Sequence, residues 1–226
     1  MLHLCAVLTG DVIQSEAGAT TGPIAEHLHA AHERVQPAYA EAAPHPISVF
    51  RGDSWQLVVT NPAYALHIAV AFRVAVRRHA QRDTRVAIAV DTVDALDTTQ
   101  VTQSTGPAFK RSGEMLDTLE KPYRMRCVVP ESAPHAVGLA ASALTDMADH
   151  LATHWTDAQA QAIHLNLTAR AMNRTVSQRE LAEQWHPQAV SQQAFSKHLQ
   201  HAHWQRLEDA LERYQALLSN TIPISI

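Results

Sequence analysis

A three-residue turn between two apolar strands constrains the fold more than any other feature. Ile47 to Arg51 and Trp55 to Thr60 are predicted strands, and only Gly52-Asp53-Ser54 separates them. Two strands joined by so short a connection form a hairpin. Strand and helix patterns alternate on either side of it, and the predicted order is β-α-β-β-α-β-α-β. A hairpin inside such an alternation predicts a mixed sheet.

The other elements of this part follow from local signals. Leu2 to Leu8 is an almost continuous apolar run, which predicts a strand buried on both faces. Pro23 is placed to open a helix that runs to about Ala42, and Asn61 caps a second helix. Further strands are predicted at 85–90 and 123–129, and a further helix at 107–119.

This order is that of the split βαβ or ferredoxin-like pattern with one added unit. We therefore predict an α+β domain over residues 1–130, with the helices on one face of its mixed sheet. In that topology the first strand lies next to the hairpin. The end of the first strand and the hairpin turn are then expected to meet at one edge of the sheet.

Two Gly-Asp pairs fall at those two places, in a chain that has only seven glycines. Glycine allows a tight turn or the close approach of a ligand, and carboxylates are preferred ligands of hard cations. If the strands are neighbours, Asp11 and Asp53 could share one Mg²⁺ and through it bind a phosphate. The alternative is that both are simple turn residues, because glycine and aspartate are common in turns.

The chain becomes helical from Ser132 onward, with a predicted connecting helix over 131–155 and a helical domain over 156–220. Ser177 and Glu180 have the spacing of a capping box. The run SQRELAEQWHPQAVSQQAFSKHLQHAH, residues 177–203, resembles a helix-turn-helix, although its turn is longer than usual. Polar residues of the second helix are expected to face DNA, where they can reach bases and phosphates. They are Ser191, Gln192, Gln193, Ser196 and Lys197.

Charge does not by itself favour nucleic acid. The net charge is −4, and from Trp155 onward six Lys and Arg residues face six Asp and Glu residues. The DNA-binding prediction therefore rests on the form of the motif, and the alternative is a helix pair used for packing or dimerisation. Fifteen histidines include the clusters 27–32 and 198–203, which suit either a transition metal or surface and packing roles.

Two further observations concern location. No apolar run approaches the roughly 20 residues needed to span a bilayer, and no signal peptide is recognised. Cys5 and Cys127 both lie in apolar runs, which predicts buried free thiols in a reducing compartment. We therefore expect a cytoplasmic protein without membrane contact.

Short motifs along the chain resemble the SatD family of bacterial proteins. They are LTGDVIQS from Leu8, FRGDSWQL from Phe50 and STGPAFKRSGEMLD from Ser104, together with the helix-turn-helix after Trp155. This resemblance covers nearly the whole chain. Because the family is poorly characterised, the resemblance does not imply a specific activity.

The first part also resembles, more distantly, the catalytic domain of class III nucleotide cyclases. That resemblance implies Mg²⁺ bound by Asp11 and Asp53. It also implies a nucleotide or phosphate ligand, for which the contact residues are Gly10, Ser15, Gly52, Lys110 and Arg111. Lys110 and Glu114 stand where cyclases carry an Asn and an Arg. Because a carboxylate cannot stabilise developing negative charge, we assign no catalytic residue.

These features favour one function and leave two others open. The favoured hypothesis is a homodimeric DNA-binding transcriptional regulator with a degenerate, nucleotide-sensing cyclase-like domain. The first alternative is a Mg²⁺-dependent nucleotide-processing enzyme, a cyclase or a phosphohydrolase, with an accessory helix-turn-helix. The second is a structural dimer or adaptor whose sites are vestigial.

Overall fold

The computed structural model describes residues 3–13, 23–98, 101–172 and 174–221. The strands are β1 His3–Val12, β2 Ser48–Phe50, β3 Ser54–Val59, β4 Thr84–Val93 and β5 Met125–Val128. The helices are α1 Ile24–Val35, α2 Ala65–Ala80, α3 Pro107–Asp117, α4 His135–His154, α5 Asp157–Ala171, α6 Gln178–Glu183, α7 Gln192–His201 and α8 Trp204–Thr221. Short 3-10 turns occupy 36–38, 62–64 and 101–103. The predicted α+β class and the order of the first eight elements are confirmed.

The five strands form one mixed sheet in the order β2-β3-β1-β4-β5. All neighbouring strands are antiparallel except β4 and β5, which are parallel. The predicted hairpin is present, with Phe50 opposite Ser54. Arg51 and Gly52 turn the chain at φ values of 54° and 90°, the left-handed region that favours glycine. As predicted, β1 lies beside the hairpin.

Helices cover both faces of the sheet, so the prediction that they pack on one face is wrong. Ala6 and Leu8 of β1 belong to the core shared with α1, α2 and α4. Cys5 and Val7, which alternate with them, pack on the opposite side, where Ala108 of α3 is buried. Because successive side chains of a strand point to opposite faces, a strand that is apolar on both faces needs cover on both.

Several predicted boundaries also differ, among them the ends of α1 and β1. Helix α1 ends at Val35 and not near Ala42, because Pro37 has no N–H to continue the helical hydrogen bonds. Strand β1 continues to Val12, so Asp11 lies inside the strand and not in a turn after it. It continues because β3 and β4 pair with it on both sides as far as Asp11.

The five C-terminal helices pack on the same core as the sheet. Ser177 and Glu180 form the predicted capping box, and the Ser191 hydroxyl accepts from the N–H of Ala194 at 3.2 Å. Tyr214 of α8 is fully buried, with its hydroxyl 3.4 Å from the sulfur of Cys127 in β5. Both cysteines are buried free thiols, as predicted. The division at residues 130 and 155 stays a prediction.

No helix in the described ranges is both long and apolar enough to cross a membrane.

Candidate functional site

The sheet brings Asp11 and Asp53 to adjacent positions at one end of β1. Asp11 lies opposite Ser54 across the β1–β3 pair. The N–H of the next residue, Val12, donates to the carbonyl of Asp53 at 3.2 Å. This is the proximity that the strand order predicts, although it arises between a strand residue and a turn residue.

Arg85 of β4 engages the Asp11 carboxylate, and sequence reasoning missed it. Its Nε donates to Oδ1 at 2.9 Å, and its Nη2 donates to Oδ2. This hydrogen bonding, more than the opposing effect of burial, raises the pKa of the Arg85 guanidinium. A third donor, Nη1, bonds the carbonyl of Leu119 at 3.0 Å. A cation at Asp11 would therefore have to compete with a bidentate guanidinium, and the ion pair itself is neutral.

Magnesium binding stays a prediction. Within the ranges that the structure describes, no group of three or more His, Cys, Asp or Glu side chains is arranged to hold a metal ion. That finding covers the two histidine clusters as well as the sheet edge. The aspartate pair in its present arrangement does not fit a cation without displacing Arg85.

Gly10 serves the packing of the sheet in this structure. A Cβ atom added there would collide with the Trp55 indole ring and with the carbonyl oxygen of Arg85. Trp55 is fully buried, and its Nε1 donates to the Thr84 hydroxyl at 2.9 Å. The close approach that glycine allows here is therefore to a tryptophan ring. Gly52 is exposed in the hairpin turn, and Ser15 lies outside the described residues.

The two predicted contact residues of α3 lie away from the aspartate pair. Lys110 is exposed, with its Nζ 3.7 Å from Glu114. Arg111 donates to Asp91 of β4 at 2.5 Å. Asp91 is opposite Cys5 of β1, whereas Arg85 is opposite Asp11, a separation of 11 − 5 = 6 strand positions. Six positions span about 20 Å, so Arg111 binds near the other end of the sheet.

A buried cluster of charges around Arg73 was also missed by sequence reasoning. Arg73 is fully buried in α2 and donates to Asp83 at 2.8 and 2.9 Å, to Asp149 at 2.6 Å and to Thr153 at 2.8 Å. Burial opposes the charge of Asp83, but hydrogen bonds from Arg73 and Arg124 hold its pKa below the usual value. The available signal was one arginine in an otherwise apolar stretch of α2, since a buried arginine requires partners. The cluster ties α2 and α4 to the start of β4.

A surface cleft of about 580 Å³ opens beside the Asp11–Arg85 pair. Its lining includes three cations, Arg85, Lys121 and Arg124, and the half-exposed Tyr123. Arg85 and Arg124 are held by aspartates, while Lys121 extends from an exposed loop. Asp11 also lines the cleft and offsets the charge of Arg85, so its lining includes three cations and one carboxylate, an excess that favours an anionic ligand.

The predicted DNA-facing side chains of α7 are all exposed; they are Ser191, Gln192, Gln193, Ser196 and Lys197. On the other side of the same helix, Phe195 and Leu199 are buried in the core, as expected. Trp185, which follows α6, stacks on His198 with the ring centroids 5.2 Å apart. These contacts hold α7 by its apolar side and leave its polar side to solvent.

The family model for SatD matches residues 5–205. The chain belongs to the SatD family. The matched range of the SatD family includes every candidate site residue named above. No curated protein matches the chain significantly. Among solved structures, the guanylyl cyclase Cya2 is similar at 12% identity and a TM-score of 0.41, with 57% of this chain and 76% of that chain covered. A similarity this weak carries no argument about the activity of the SatD-family chain.

Proposed function

We propose that this SatD-family protein is a homodimeric, DNA-binding transcriptional regulator that contacts DNA through α7. The observation that carries the proposal is the two-sided character of that helix. Four polar side chains along it and that of Ser191 at its N-cap are exposed, while Phe195 and Leu199 anchor the reverse side in the core. A helix held in this way presents donors and acceptors at a defined orientation. Ser and Gln suit base edges, and Lys suits phosphate.

The proposal gives the sheet the role of binding a nucleotide or another phosphate ligand. The strand order β2-β3-β1-β4 supports a ferredoxin-like, cyclase-like arrangement for it. The cleft beside Asp11 supports the choice of an anion, since three cations line it and Asp11 offsets only one of them. Two-fold operators require two recognition helices about one helical turn apart, which is why the proposal includes a homodimer.

The first prediction concerns duplex DNA. Selection from a random duplex library should enrich a sequence, and the double variant Gln193→Ala, Lys197→Ala should bind it at least about tenfold more weakly. That loss corresponds to removing one base contact of about 1–3 kcal/mol and one phosphate contact. The salt dependence of binding should fall by about one counterion.

Arg213→Ala is the matched control, because Arg213 is an exposed cation on α8 and its removal changes the net charge equally. It should leave the affinity within about twofold. If no sequence is enriched, or if the double variant and the control behave alike, α7 is not a DNA-contacting helix.

The adjacency of Asp11 and Asp53 favours a second candidate, a Mg²⁺-dependent nucleotide-processing enzyme. Its test is to incubate the protein with nucleoside triphosphates, with and without Mg²⁺, and to measure turnover and thermal stability together. A sensing domain should show a rise in melting temperature without turnover. Turnover that requires Mg²⁺ and is lost in Asp53→Asn would instead establish the enzyme, whereas turnover unchanged in that variant would exclude this metal site.

A further inference from the structure

A second cleft, of about 360 Å³, lies among α1, α2, α5 and the segment that joins α6 to α7. Its polar lining is almost entirely basic, and no carboxylate is among the described residues that line it. The lining residues are Arg34, Ala75, Arg78, His79, His164, Leu165, Gln184 and His186. It shares no residue with the cleft at Asp11 or with the exposed face of α7.

The two arginines of this cleft have no partner among the residues that the structure describes. Neither Arg34 nor Arg78 makes a hydrogen bond or an ion pair with any part of the chain that the structure describes. The Nη1 atom of Arg78 is nevertheless buried, as is Nδ1 of His164, and both are without a hydrogen-bond partner. A buried polar atom left unpaired is costly, and native proteins satisfy nearly all of them. These two atoms are therefore free to pair with a ligand that enters the cleft.

Like charges concentrate here. Burial, followed by the charge of Arg34, lowers the pKa of the Arg78 guanidinium. Burial lowers the pKa of His164 to about 4, and the charges of Arg78, His79 and Arg34 act in the same direction. Burial also lowers the pKa of His79, and the charges of Arg34, Arg78 and His27 of α1 act in the same direction. An anion in the cleft would relieve this repulsion.

Helix position explains part of the arrangement. Arg34 and Arg78 lie in the last turns of α1 and α2, where the helix dipole favours cations. A helix terminus does not require a guanidinium nitrogen to be buried without a partner. Nor does it explain why Arg78 and His164, on different helices, line one recess.

We infer that this cleft binds a compact oxyanion, namely phosphate or the phosphate group of a small phosphorylated molecule. A guanidinium presents paired N–H donors that match phosphate oxygens, and a neutral imidazole still offers one N–H. The cleft is walled in part by Gln184 and His186, which precede α7. A bound phosphate would therefore link α2 to the segment that leads into α7.

The test measures inorganic phosphate binding to the full chain, by thermal shift and by calorimetry, against chloride at equal ionic strength. Phosphate should raise the melting temperature by several degrees, and Arg78→Met should weaken its binding at least tenfold. Because Arg78 is partly buried, Arg34→Met serves as a second variant, since Arg34 is exposed and its loss leaves the core intact. It should weaken binding to a similar degree.

Two comparisons separate this site from the others. Phosphate binding should be unchanged in Arg213→Met and in the double variant Gln193→Ala, Lys197→Ala. The phosphate site can therefore be confirmed even if α7 does not bind DNA. The inference is overturned if phosphate stabilises the protein no more than chloride does. It is equally overturned if Arg34→Met and Arg78→Met bind phosphate like the wild type. This includes the case in which both variants bind duplex DNA more weakly but keep their affinity for phosphate.

Discussion

Gly10 and Gly113 are both glycines inside regular elements, and their surroundings predict opposite effects of substitution. Gly10→Ala places a methyl group against the Trp55 ring and the Arg85 carbonyl, whereas no atom of the described residues lies within 4 Å of a Cβ at Gly113 in α3. We expect Gly10→Ala to lower the free energy of unfolding by about 1–3 kcal/mol or more. Gly113→Ala should raise it by about 0.5–1 kcal/mol, because glycine is a poor helix former.

Urea unfolding followed by far-UV circular dichroism measures both effects in the same protein. The pair is matched, since each variant adds one methyl group and no charge. If Gly10→Ala were as stable as the wild type, the Trp55 ring and the neighbouring backbone would have to move aside at little energetic cost. The case for Gly10 as a packing residue would then fail, and its role as a ligand-contacting glycine would regain support.

For Asp11, the sequence predicts one of its two neighbours in the fold but not the other. Its proximity to Asp53 could be predicted, because the hairpin and the strand order together bring the two chain segments side by side. Its partner Arg85 could not, because pairing between β1 and β4 depends on register across 85 − 11 = 74 residues. Nothing local to Asp11 distinguishes a carboxylate that binds a cation from one that binds an arginine of the next strand.

The helices and strands were most predictable where a local signal marks an end. Asn61 accepts a backbone N–H in the 3-10 turn that leads into α2, Ser177 accepts one at the start of α6, and both caps were readable from sequence. The amphipathic pattern of α3 did not by itself predict its placement, because it shows that one side of the helix is buried but not against which face of the sheet. The continuous apolar run of β1 contained that information, since it required cover on both faces.

The charge cluster at Arg73 links three elements, namely α2, α4 and the start of β4. Its acceptors come from the segment before β4 and from α4, 10 and 76 residues along the chain from Arg73. Sequence reasoning could register only that an arginine stands among apolar residues of α2. The identity of its partners follows from tertiary packing, which no periodicity reports.

The molecule as a whole has a core that runs from the sheet into the C-terminal helices. Residues of β1, α4 and α8 belong to one connected group of buried apolar side chains. Tyr214 connects α8 directly to the sheet, because it is fully buried and its hydroxyl lies beside the Cys127 thiol of β5. Burial of the Cys127 side chain raises the pKa of its thiol to about 11, so the thiol stays protonated at neutral pH.

This continuity predicts that the sheet and α8 unfold together. Tyr214→Ala should lower the free energy of unfolding by about 3–5 kcal/mol, as other large buried aromatic truncations do. Amide hydrogen exchange, read by mass spectrometry, should show the loss of protection in β1 and in α8 by equal amounts, because one cooperative unit opens as a whole. The exposed-site variant Gln193→Ala should change neither by more than about 0.5 kcal/mol. Loss of protection in α8 with β1 unaffected would instead mark two independently folding parts, and would support domain boundaries near residues 130 and 155.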